Sequence, residues 1–202
     1  MQNSIFSGIK DLLGQINRID GSIYMQGKNF IAHFYNQDHD IPVWAAFESL
    51  TLGEFGMFFS CANEAIRSDV SAKLRLPKNL NDDGFLLADI IFTLKDLRNA
   101  IAHNGIIFDT RFATVQVPNR IKRLLEQEMG IKTLDFNYIV SYLALVVYLL
   151  FNMGETKRCR STVHEFLTLH PMLEKMPVGT KMQIKGTEHD TVIRAMGNML
   201  NA

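Results

Sequence analysis

The chain has 202 residues, 47% hydrophobic and 21% charged, ordinary globular values that allow a sizeable core and speak against general disorder. Lys plus Arg number 21 and Asp plus Glu number 21, so no overall basic field recruits nucleic acid, and any such binding must use local patches. Cys61 and Cys159 stand in no CxxC or Cys/His pattern, which speaks against a zinc site or disulfide framework and fits a reduced, cytoplasmic setting.

Residues 3–35 read as helical with interruptions. Ile5, Ile9, Leu12, Leu13 and Ile16 mark an apolar face, which Gly14 weakens and Asp20-Gly21 breaks. Tyr24, Phe30, Ile31 and Phe34 form a second apolar set. The N-terminus has no basic stretch followed by an apolar core, so no signal peptide is read there. After a polar loop, Asp40 is predicted to cap a helix whose first turn holds Pro42. Trp44, Phe47, Leu50, Phe55, Phe58 and Phe59 are predicted to supply buried area, and Gly53 and Gly56 to let a neighbouring helix approach closely. Glu48 falls on the same predicted strip as Trp44, Leu52 and Phe55. It reads either as a buried carboxylate that aims Arg98 or as a surface residue.

A polar stretch begins at Ser68, and Pro77 stops any helix before the connection at Lys78-Asn79. Asn81-Asp82-Asp83-Gly84 is a cluster of capping and turn residues. Beyond it Leu87, Ile90, Ile91, Leu94, Leu97 and Ile101 recur at three- and four-residue steps, one buried helical face, and Asn104-Gly105 is a stop signal. This helix carries the chemistry. Asn99 and His103 are one turn apart on one face, and Arg98 lies about 100° round from Asn99. His103 falls in the last turn, where the helix dipole favours a protonated ring. A permanent cation beside a titrating imidazole suits phosphoryl chemistry, the one holding phosphate oxygens and the other passing a proton. The same spacing also fits an ion-pairing arginine and a capping histidine.

After Gly105 the chain turns extended in character up to Pro118, read as an ordered loop or short hairpin with Asp109 and Arg111 at the surface. Residues 119–129 form an amphipathic pattern, with Ile121, Leu124 and Leu125 inside and Arg120, Lys122, Arg123, Glu126 and Glu128 outside, closed by Gly130. Its basic end reads as a solvated face or as a phosphate-backbone contact through Arg120, Lys122 and Arg123. The most apolar run, residues 138–151, is short of the ~20 needed to cross a bilayer and reads as the middle helix of a bundle. Lys157, Arg158 and Arg160 form the densest basic cluster, either a solvated charge run or an RNA-steering patch. Val163, Phe166, Leu167 and Leu169 suggest one more helix, stopped by His170-Pro171, and residues 187–200 a final one. No Walker loop, GxGxxG, HExxH or GxSxG occurs, and His164, His170 and His189 have no metal-site spacing, so no cofactor or metal is expected.

Arg98-Asn99-x-x-Ala102-His103 resembles the R-x4-6-H motif of HEPN domains, in the version carried by the abortive-infection (Abi) proteins of bacterial phage defence. Pro42-x-Trp44, followed by Glu48, Thr51 and Gly53, is similar to that family's P-x-W-x3-E-x2-T-x-G signature. The resemblance covers roughly residues 38–155. It implies an all-α fold, a HEPN-like helical bundle with additional N- and C-terminal helices. The chain is divided accordingly into a helical arm (1–37), a HEPN core (38–155) and C-terminal helices (156–202). It implies a metal-independent endoribonuclease, of phage defence or a toxin–antitoxin system, whose substrate 2′-hydroxyl attacks the adjacent phosphate. Arg98, His103 and Asn99 are then catalytic, with Glu48 and Asn104 supporting. The implied partners are RNA, as substrate or inhibitory small RNA, and a second copy of the chain whose motif faces the same cleft. No DNA and no membrane are expected. The residues after His103, Asn104-Gly105-Ile106-Ile107-Phe108-Asp109, depart from the basic residue and Leu-aromatic-Asn run of many Abi relatives. A non-cleaving RNA- or partner-binding module on the same scaffold is the alternative.

Overall fold

The computed structural model describes residues 42–102, 116–132, 134–175 and 187–201, together with Gly14 and Phe34. The predicted N-terminal helices, the Asp40 cap, the Asn104-Gly105 stop and most of the extended segment lie outside the described residues. Every regular element among the described residues is helical, so the protein is all-α. The chain divides into two compact units, Met1–Arg67 and Ser68–Ala202.

In the first unit α1 spans Val43–Ser49 and α2 spans Leu52–Cys61. Pro42 is the N-cap of α1, with φ −60° and ψ 144°, and so stands just outside the helix it was predicted to enter. The single strip expected across residues 44–55 is cut at Leu50-Thr51, both extended. The cause is a capping box. The Thr51 hydroxyl accepts from the Glu54 N–H at 3.2 Å, and the Glu54 carboxylate accepts from the Thr51 N–H at 2.7 Å. This break turns several aromatics away from the burial expected of them: Trp44 is 56% exposed and Phe47 and Phe58 are exposed, while Phe59 is buried. They pack instead edge to face, Phe34 on Trp44 and Phe47 on both Phe55 and Phe58. Gly56 is buried in α2.

A further helix, α3 (Glu64–Lys73), begins before the polar stretch read from Ser68 and runs into it, and the boundary between the units falls within this helix. Asn63 starts it by accepting from the Ile66 N–H at 2.9 Å, and a Lys73–Asp69 pair one turn apart supports its outer face.

The second unit contains α4 (Leu86–Ala102), α5 (Asn119–Met129), α6 (Ile139–Asn152), α7 (Thr156–Lys175) and α8 (Thr187–Asn201). The most apolar helix, α6, packs against α4, α5, α7 and α8 and is the centre of the unit, as its composition predicts. Tyr142, Ala144, Leu145, Val147 and Tyr148 are completely buried on it. Among the described residues no helix is long and apolar enough to cross a membrane. Gly130 ends α5 in the left-handed conformation, φ 71°, which glycine adopts without a Cβ penalty. Ile121, Leu124 and Leu125 are wholly buried beneath that helix. Cys159 of α7 is buried, and its thiol donates to the Val147 carbonyl at 3.6 Å. Burial raises the thiol pKa, so this cysteine is an inert core residue.

The predicted stop at His170-Pro171 does not occur: α7 runs on to Lys175. A proline already holds a helical φ, and its ring removes one backbone hydrogen bond and bends a helix without having to end it.

Candidate functional site

The site is built on α4, whose start is fixed by the turn residues before it. The Asn81 side chain accepts from the Leu86 N–H and the Asp83 carboxylate from the Phe85 N–H, both at 2.9 Å. Gly84, after them, is buried at φ 72°, a left-handed conformation that glycine adopts without a Cβ penalty. From there the apolar periodicity does what it predicts. Leu86 and Ile90 are wholly inaccessible, and Leu87, Ala88 and Ile91 nearly so.

A second device pins the same end. Arg120, on α5, forms two ion pairs, with Asp89 in the first turn of α4 and with Asp83 at 2.8 Å in the turn before it. Burial works against the Asp83 carboxylate, but the Phe85 N–H and the Arg120 guanidinium outweigh it and hold its pKa below the usual value. Burial likewise opposes the Arg120 charge, and Asp89 and Asp83 together raise its pKa. Arg120 was expected outside, on a solvated face or as a phosphate contact. It is half-buried and its guanidinium joins α5 to α4, so its place is structural.

The burial of α4 fades after Thr93. Leu94 and Leu97 are half-buried, and Ile101, expected on the inner face, is 53% exposed. The helix runs past the part of the core that covers it. On this uncovered end Arg98 is exposed, and its Nη1 donates to Oδ1 of Asn99 at 3.1 Å. An amide oxygen that accepts from a guanidinium restricts the rotation of a long side chain and leaves its other N–H groups free to reach an anion. Arg98 and Asn99, neighbours in sequence, are therefore brought together as a pair. His103 and Asn104 lie outside the described residues. Glu48 is exposed on α1.

Beneath this end, one oxygen of Asp96 is sealed from solvent without a hydrogen-bond partner. Burial and the Asp96 charge push the Tyr142 hydroxyl of α6 up to about 12. On α6 the Tyr148 hydroxyl is also pushed up to about 12, by burial and then the Glu128 charge, offset in part by the neighbouring Asn152 amide.

The remaining predicted cations are exposed on two separate helices. Lys122 and Arg123 stand on α5, and Lys157, Arg158 and Arg160 on the first turns of α7, where Arg158 faces Glu155 at 3.7 Å. No acidic residue occupies the first turn of α7, so these cations sit at the helix end whose dipole disfavours them. Sequence reasoning missed a polar recess of about 320 Å³ at the start of α5, lined by Gln116, Asn119, Lys122, Asp135, Phe136 and Asn137. Its residues come from separated segments. The one legible signal is Asp135-x-Asn137, an Asx turn in which the carboxylate accepts from the Asn137 N–H at 2.9 Å.

The family model described as Abi-like protein matches residues 3–109, more than half of the chain, a span that contains α1 to α4 together with Arg98, Asn99, His103 and Asn104. No curated protein and no solved structure matches the chain.

Proposed function

The chain belongs to the family of Abi-like proteins, and from that premise we propose that it is a metal-independent HEPN-type endoribonuclease of phage defence by abortive infection or of a toxin–antitoxin system. The observation that carries this reading is the Arg98–Asn99 pair on the uncovered end of α4, with Arg98 exposed, within the matched span and followed in sequence by His103.

The chemistry follows from what those groups offer. Attack of an RNA 2′-hydroxyl on the adjacent phosphate forms a new P–O bond and breaks the bond to the 5′-oxygen. The products are a 2′,3′-cyclic phosphate and a free 5′-hydroxyl. Negative charge builds on the non-bridging oxygens in the transition state, and a guanidinium directed by Asn99 is suited to bind it. One proton must leave the 2′-hydroxyl and one must reach the departing 5′-oxygen, work for an imidazole that titrates near neutral pH. A single His103 serves one of these transfers at a time. A two-fold dimer in which His103 of each copy lines one cleft supplies both, and the motif resemblance points the same way. Asn104 and Glu48 are supporting residues in this reading. The exposed Lys157, Arg158 and Arg160, with Lys122 and Arg123, are the local patches by which a chain of zero formal net charge meets an RNA backbone.

The test compares wild type with His103→Ala on structured and unstructured RNA in EDTA, with analysis of the product ends. Chelator-resistant cleavage that leaves cyclic phosphate ends and is lost in the variant is the expected result. RNA binding by both proteins with cleavage by neither overturns the nuclease and leaves a binding module.

A further inference from the structure

The recess at the start of α5 belongs to none of the roles above except through Lys122. Its volume of about 320 Å³ is at the small end of the roughly 300–1,000 Å³ of ligand sites. Its lining is also unusual for a site of that size. Three residues with side-chain amides, Gln116, Asn119 and Asn137, line it together with one cation, Lys122, one carboxylate, Asp135, and the apolar Val117 and Phe136. Each amide offers both a donor pair and an acceptor, the combination needed to pair with the mixed donor and acceptor edge of a nucleobase. Lys122 offers a point charge suited to one phosphate.

One wall, Asp135-Phe136, is firmly set. Phe136 is 5% exposed and locked edge to face on Tyr142, with ring centroids 5.2 Å apart. The Asp135 backbone carbonyl accepts from the Ser141 hydroxyl at 2.9 Å, and the Asp135 carboxylate holds the turn through the Asn137 N–H. That carboxylate is an acceptor only, so it suits base N–H groups and keeps phosphate to the Lys122 side. Pro118, the N-cap of α5, places no side-chain acceptor over the first N–H groups of that helix.

We infer that this recess binds a single nucleotide, with Asn119, Asn137 and Gln116 on the base and Lys122 on the phosphate. The nucleotide comes from single-stranded RNA, making the recess a specificity subsite, or from the free pool. The first source rests on the nuclease reading, the second does not.

The experiment uses the full chain carrying His103→Ala, so that RNA remains intact, and measures binding of a short labelled single-stranded RNA and of each of the four ribonucleoside monophosphates. Lys122→Ala with Asn137→Ala is expected to weaken binding about tenfold or more. Asn119→Asp, nearly the same shape with an acceptor in place of the donors, gives the same direction of change should the double variant lower the melting temperature. RNA bound through the recess but no monophosphate supports the RNA source, and monophosphate alone supports the free pool. Unchanged affinity for every ligand in folded variants overturns the recess as a site, as does a wild-type level too weak to measure for all of them. With His103 restored, cleavage whose positions, like the RNA affinity, are unmoved by these substitutions removes the recess and leaves the nuclease standing. A monophosphate held by the recess in a protein that cuts nothing does the reverse.

Discussion

The two ends of α4 share one helix and one sequence period, yet the structure uses them differently. The first end is sealed against the unit's core and tied twice over, by the Asn81 and Asp83 turn bonds and by Arg120 reaching Asp83 and Asp89. The second end carries Arg98 in the open, an exposed Ile101 and a hydrogen bond that fixes a guanidinium without burying it. The anchoring of a helix and its display are thus separable. Packing of one end frees the other from any duty to the fold, so polar residues there are available for chemistry.

Truncation of the anchored end has the largest expected effect. Ile90→Ala empties a wholly buried position and is expected to lower unfolding free energy by about 2–5 kcal/mol in urea titrations. Arg98→Ala, at the displayed end, is expected to leave the melting temperature unchanged while reducing RNA cleavage roughly a hundred- to a thousandfold, the range seen on removal of one transition-state donor. A melting temperature that falls with Arg98→Ala as far as with Ile90→Ala would erase the distinction.

The tie to α5 comes next. Arg120→Ala leaves the Asp89 and Asp83 carboxylates without their cation and is expected to cost about 1–3 kcal/mol. The Asp83 pKa is lower in the folded state than its ordinary value of 3.8. Its contribution is therefore present above that value and is lost as pH falls below it, so acid titration of stability should show a limb below 3.8 that Asp83→Asn removes.

The core beneath α4 gives the opposite sign. Tyr142 and Tyr148 have pKa values raised to about 12 from 10.0, so their contribution is complete below 10 and is lost as pH climbs towards 12. Each is expected to cost on the order of 1–2 kcal/mol across that window, and Tyr148→Phe should flatten the alkaline limb measured by thermal melts. The smallest effect belongs to Ile101→Ala, expected within about 0.5 kcal/mol of wild type because more than half of the side chain already meets water.

Much of this was legible in residue order, and the misses have identifiable causes. The central position of α6 followed from an apolar run too short to span a bilayer, and the close of α5 from Gly130. The start of α4 followed from Asn81 and Asp83 as turn formers. The break at Leu50-Thr51 was readable as well, since Thr51-x-x-Glu54 is a capping-box pattern, but the aromatic periodicity across it suggested continuity. Of the candidate site, the Arg98–Asn99 pair was legible as adjacent residues on one helix. The structural duty of Arg120 was not, because its partners Asp83 and Asp89 are remote in sequence and an exposed-looking arginine on an amphipathic helix has no local mark of being paired.

Local order thus decided which segments are helices, where most of them begin and end, and which residue types could serve phosphoryl chemistry, because capping, periodicity and turn preference act over a few residues. Tertiary structure alone decided that α4 is covered for only part of its length, that Arg120 ties α5 to Asp83 and Asp89, and that residues from separate segments line a polar recess. Those outcomes depend on which surfaces meet after the chain has closed on itself, and burial and ion pairing between distant residues leave no periodic trace along it.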